Sequence, residues 1–186
     1  MKQAHRFLHR MGHSLVAGPQ GNLWMYGGLS LSDGILGNVY RYSLSEHRWT
    51  QMLTSSVDES ATPSARYHHA AALLNTYDLD SGSHDGGHSL MLVVGGITQS
   101  GVAMDTWSLN LSSLVWREHK SSVLPPVAGH TLTVRWDSSV LLIGGYSPEN
   151  GFNHHLLEFN PDSGNWTIVP HTGTPPTGFI AVIFSH

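Results

Sequence analysis

Short apolar runs alternate with polar, glycine-rich breaks along this chain, and the alternation repeats three times. Apolar runs end in Gly-Gly at "LWMYGG" (Gly27, Gly28), "LMLVVGG" (Gly95, Gly96) and "VLLIGG" (Gly144, Gly145). A tryptophan follows the first glycine of each pair after 22, 21 and 22 residues, at Trp49, Trp116 and Trp166. Seven residues before each tryptophan stands a large apolar side chain: Tyr42, Leu109 and Phe159. A histidine opens each unit, at His13, His69 and His130. The first and third histidines lie 14 residues before their glycine pair and the second lies 26 before it. The middle unit therefore carries an insertion, placed within "NTYDLDSGSHDGGHS" (75–89). The "GGHSL" inside it imitates a unit start but sits too close to the next Gly-Gly to be one.

Within each unit the polarity has period two, the signature of strands with two different faces. Tyr40, Tyr42 and Leu44 fall on one side of "VYRYSL", with Arg41 and Ser43 on the other. Trp107, Leu109 and Leu111 repeat the pattern, as do Leu157 and Phe159. Four strands per unit are expected; in the first they are "HSLVAG", "LWMYGG", "VYRYSL" and "WTQML". The connection "PDSG" has strong turn chemistry. With 20 glycines, 9 prolines and no long 3.6-residue period, very little helix is expected. The fold class is all-β. The units map to residues 1–53, 54–120 with the insertion near 75–89, 121–170, and a truncated or divergent start of a fourth at 171–186.

This spacing resembles kelch repeats, in which an apolar run into Gly-Gly precedes an aromatic residue and a tryptophan. The resemblance implies blades of a β-propeller, each a four-stranded sheet. The glycine pairs could alternatively cradle a phosphate. However, neither G-x-G-x-x-G nor G-x-x-x-x-G-K-[ST] occurs, so a backbone packing role is expected for them. Propellers close with about four to eight blades. Three units and a beginning are therefore expected to be a segment of a larger wheel, completed by further blades of the same full-length chain.

"RMGHSLVAGPQ", "LWMYGGLSL", "GNVYRYS", "VAGHTLT", "LIGGYSPENGFN" and "HTGTPPTG" together resemble one kelch segment of the attractin group of multiple-EGF-domain proteins. That match stops near Gly178, because "FIAVIFSH" lacks the Gly-His start of another blade. The resemblance implies part of a large single-pass membrane protein whose ectodomain combines propellers with EGF-like, CUB and plexin-type modules. It also implies a role in developmental signalling, in which such receptors help a membrane-associated ubiquitin ligase lower receptor levels. An intracellular kelch adaptor and a kelch-type enzyme are the alternatives.

Composition narrows these choices. Nine basic against 13 acidic residues give a formal charge of −4, which does not suit a nucleic-acid partner. The apolar runs are too short for an inserted span. The absence of cysteine excludes disulfides, a thiolate metal site and the tyrosine–cysteine cofactor of copper radical oxidases. No nucleophile–base–acid grouping has recognisable spacing, so no catalytic residue and no cofactor are expected. Fourteen histidines invite a metal site. Yet His13, His69 and His130 occupy the same place in three successive units and would spread around an axis rather than converge on one ion. They are expected to make a repeated structural contact near the innermost strand, with some pH sensitivity near 6.5.

Trp49, Trp116 and Trp166 are expected between blades. Two sequons, at Asn110 and Asn165, are candidate glycosylation sites near the outer rim. The loops 29–38, 97–105 and 146–154 are expected on one face of the wheel with the inter-blade links 54–66, 121–128 and 171–177. In "YSPENGF", Tyr146, Glu149, Asn150 and Phe152 form either a binding loop for an extracellular or membrane protein ligand or a solvated turn.

Overall fold

A computed structural model describes residues 9–57, 61–76 and 88–173. Among them there is no α-helix; the single helical element is a 3₁₀ turn at Pro19–Gly21. The first sheet contains β1 (Ser14–Ala17), β2 (Leu23–Tyr26), β5 (Val39–Ser43) and β6 (Arg48–Met52), in that order and all antiparallel. The second contains β8 (Ala70–Thr76), β9 (His88–Val94), β12 (Thr106–Asn110) and β13 (Val115–His119). The third contains β14 (Thr131–Val134), β15 (Val140–Ile143), β18 (Leu157–Asn160) and β19 (Asn165–Ile168). Each sheet is a four-stranded meander whose histidine immediately precedes its innermost strand. This is an all-β partial propeller.

Between the second and third strands of each blade rises a small antiparallel hairpin. These are β3 (Leu29–Ser30) with β4 (Gly34–Ile35), β10 (Ile97–Thr98) with β11 (Gly101–Val102), and β16 (Tyr146–Ser147) with β17 (Gly151–Phe152). One further strand, β7 (Ser55–Ser56), leaves the first blade and pairs in parallel with Val115 and Trp116 at the outer edge of the second. The link 54–66 was expected wholly on the loop face. Its first residues instead run along this edge, because the β13 backbone offers an unsatisfied row of donors and acceptors.

Two apolar clusters fill the seams between blades. Val16, Trp24, Tyr26 and Val39 of the first blade meet Met91, Val93, Leu109 and Trp116 of the second. Leu92 and Val94 of the second meet Val140, Leu142, Phe159 and Trp166 of the third. The continuous run "LMLVV" follows from this arrangement. The middle blade is covered on both sides, so the consecutive residues Met91, Leu92, Val93 and Val94 of β9 are all buried. β8 and β9 are seven residues each, against four in the other blades, and thus take in both ends of the segment read as an insertion. His88, Ser89 and Leu90 begin a second strand rather than a new unit, and residues 77–87 lie outside the described part.

The first blade departs from the expected alternation. Val39 and Ser43 are its most buried third-strand positions, whereas Leu44 is half exposed. Its Val39–Ser43 face meets the second blade, and no described strand packs on its Tyr40–Tyr42 face.

Candidate protein-interaction face

The glycine pairs hold the seams. All six have positive φ, between 57° at Gly95 and 107° at Gly28. The N–H of Gly28 donates to the carbonyl of Arg66, and that of Gly96 to the carbonyl of Val127, both at 2.8 Å. Each bond ties a blade to the link that opens the next one. A Cβ at Gly27 would lie 2.5 Å from the Arg66 oxygen, and one at Gly95 2.3 Å from the Val127 oxygen. Only glycine permits both this conformation and this approach.

Tyr26 is the hub of the first seam. Its ring lies 5.3 Å from both His69 and Trp116, and its hydroxyl donates to the carbonyls of Pro63 and Ser64. Burial pushes its pKa up to about 12, against the opposing charge of Arg66. His69 shares a 2.8 Å hydrogen bond with the Ser14 hydroxyl through Nε2. His130 is buried with neither ring nitrogen in a well-aligned hydrogen bond, the Val94 backbone being its polar neighbour. Burial pulls both histidines down to about 3, with the Arg66 charge adding to the effect at His69. His13 is exposed. Among the described residues no three His, Asp or Glu side chains are grouped to hold a metal ion.

The sequence reading missed the strongest polar contact. Arg66, fully buried, reaches Asp105 with two bonds of 2.6 and 2.8 Å and also donates to the carbonyls of Gly95 and Ser64. Asp105 accepts from the Trp107 indole as well. Burial disfavours both charges. The hydrogen bonds and charges of the pair outweigh that penalty, lowering the Asp105 pKa and raising that of Arg66. The available signal was an arginine three residues before the opening histidine in the first two units, Arg10 and Arg66. Arg10 donates to the Gly27 carbonyl just as Arg66 does to that of Gly95.

This frame sets the three small hairpins side by side on one face. Their bends are fixed by buried hydroxyls at equivalent positions: Ser30, Thr98 and Ser147 accept from backbone N–H groups two or three residues on. Each blade presents one exposed apolar side chain in or just after its hairpin: Leu31 (91%) in the first turn, Met104 (60%) two residues past β11, and Phe152 (45%) in β17. Ser64 and Ala65 of the first link lie with Asp33, Gly34, Thr98 and Ser100 around an open groove of about 500 Å³. Pro125 and Pro126 of the second link share a groove of about 220 Å³ with Asn150, Phe152, His154 and His155. Tyr146 and Phe152 face each other across their hairpin, ring centroids 5.2 Å apart, while Glu149 and Asn150 are exposed at its tip. At the opposite end of the blades Trp136 is 91% exposed in the turn before β15.

The three repeated tryptophans do not share one environment. Trp116 and Trp166 are buried in the two seams, their indoles donating to Thr54 and Thr106. Trp49 was expected between blades too. It is half-buried against Tyr42, with ring centroids 5.1 Å apart, on the face of the first blade that no described strand covers. Asn110 ends β12, and its carboxamide oxygen accepts from the N–H groups of Ser112 and Ser113. Asn165 begins β19 and is exposed.

Residues 23–183 match the family model described as the Attractin/LZTR1 beta-propeller. The chain belongs to this family. Over 178 residues it is 52% identical to multiple epidermal growth factor-like domains protein 8 of Mus musculus, and equally to that of Homo sapiens. The alignment covers 94% of this chain and 6% of each relative. The chain thus spans a small part of the attractin-type proteins it matches. Acyl-CoA-binding domain-containing protein 4 of Arabidopsis thaliana is 28% identical over 134 residues, covering 70% of this chain and 19% of that protein.

Proposed function

We propose that this chain is a non-catalytic protein-interaction segment of a propeller in the extracellular part of a large single-pass membrane protein. It acts in developmental signalling, presenting its hairpin face to a protein ligand and helping a membrane-associated ubiquitin ligase lower receptor levels. The observation that carries the reading is 52% identity over 94% of the chain to a protein named for its EGF-like domains. Such modules are small, disulfide-dense folds that belong to oxidising compartments. A cysteine-free propeller segment beside them shares that environment. The apolar trio Leu31, Met104 and Phe152, one per blade, supports a protein as the ligand.

The same reading assigns further blades of the full-length protein to the Tyr42–Trp49 face. Its support is internal repetition, since the corresponding faces at Trp116 and Trp166 are each covered by the preceding blade.

The test is the native protein in its source tissue, detected with an antibody to residues 146–153. A species far above 20.3 kDa, labelled by membrane-impermeant biotin and shortened by N-glycosidase, is expected. An unlabelled band near 20 kDa that the enzyme leaves unmoved would sink the extracellular reading. Deleting residues 13–170 from the full-length protein should raise surface levels of the regulated receptor; unchanged levels would remove the signalling role.

A further inference from the structure

Beside the second blade lies a groove of about 290 Å³, with Pro161 of the third among its lining residues. Val57, Leu90 and Val115 give it an apolar wall, and Arg117, His88 and Ser113 give it polar groups. Val57 keeps 57% of its surface exposed although it follows directly on an edge strand. An apolar wall with hydrogen-bonding groups around it suits a sugar ring, which has C–H faces and a polar rim.

Asn110 lines the same groove and is the acceptor residue of Asn110-Leu111-Ser112. Its carboxamide oxygen is held by two turn N–H groups. That fixes the side chain and leaves Nδ2 without a hydrogen bond among the described residues. Leu111 is buried, while Ser112 is exposed. Asn165, the other acceptor, is exposed on an outer strand and lines no described groove.

We propose that Asn110 carries an N-linked glycan whose first sugar lies in this groove and closes the mouth of the cleft between the second and third blades. In the transfer, the bond from C1 of the sugar to the pyrophosphate of a lipid-linked oligosaccharide breaks. A bond from C1 to Asn110 Nδ2 forms, the amide loses one proton, and the lipid pyrophosphate leaves. The glycan covers Val57, Leu90 and Val115, whereas a glycan on Asn165 stands free in solvent. The proposal rests on the extracellular reading above, and its test separates the two.

The native protein is digested with N-glycosidase in ¹⁸O-water, once folded and once denatured, and release is followed on peptides spanning 106–117 and 160–170. The expected result is an occupied Asn110 released at least tenfold more slowly from folded than from denatured protein, with no such protection at Asn165. An occupied Asn110 released equally fast in both states overturns the seat in the groove. An unoccupied Asn110 beside an occupied Asn165 overturns the site while leaving the extracellular reading standing. Neither site occupied also overturns the site, and the surface labelling above then decides the extracellular reading by itself.

Discussion

The Ser14 hydroxyl and His69 Nε2 meet at 2.8 Å across the seam between the first two blades. In the next seam the residue corresponding to Ser14 is Ala70, and His130 has no side-chain hydroxyl to meet, its polar neighbour being the Val94 backbone. Replacing Ala70 by Ser should supply the missing hydroxyl. An intramolecular hydrogen bond contributes about 1 kcal/mol, so the Ala70→Ser variant is expected to gain about that much, read as a rise in the urea midpoint. An unchanged midpoint would mean that the new hydroxyl does not reach the ring.

The buried histidines make stability depend on pH. Both have folded pKa values near 3, below the unfolded value of about 6.5. Between these values the unfolded chain binds more protons, so stability is fully present above about pH 6.5 and falls as pH drops toward 3. Each histidine contributes a slope of about 1.4 kcal/mol per pH unit in that window. Denaturant midpoints measured from pH 7.5 to 5 should decline, and His130→Leu should flatten the decline. A curve flat to pH 5 would contradict the burial of these rings.

Gly95→Ala should be far more damaging than Gly34→Ala. Both glycines have positive φ, but a Cβ at Gly95 meets the Val127 carbonyl while one at Gly34 meets nothing within 4 Å. Backbone strain alone costs about 1–2 kcal/mol, and overpacking adds about 1–3. Equal losses in thermal unfolding would exclude the close approach as the reason for glycine.

Trp116→Ala should cost about 3–5 kcal/mol, the usual penalty for emptying a filled core site. Trp49→Ala in the same chain should cost about 1–2 kcal/mol, because its ring is only half removed from water. Paired denaturation curves decide this. Similar losses would mean that the Trp49 face is covered as well as that of Trp116.

Period-two alternation and the recurrence of Gly-Gly, tryptophan and histidine make the blades legible in the sequence. What spacing does not carry is the difference between equivalent positions. Trp49, Trp116 and Trp166 are identical as letters, yet burial depends on whether a blade stands on the near side. Asp105 was invisible for a related reason. Its counterparts in the other units are Asn38 and His155, so no repeat announces it, and its importance comes only from the arginine that the fold brings to it. The link 54–66 was misplaced in part because pairing to a distant edge leaves no local periodicity.

The parallel seam between β7 and β13 bears on biogenesis. Thr54, which receives the Trp116 indole hydrogen bond, leaves the ribosome 62 residues ahead of it. When the last strand of the second blade emerges, the template for its exposed edge has therefore already been made. The opposite tie runs the other way in time, since Gly28 waits for Arg66. The first blade thus seals the raw margin of the second as that blade is born, while β19 of the third pairs only with β18.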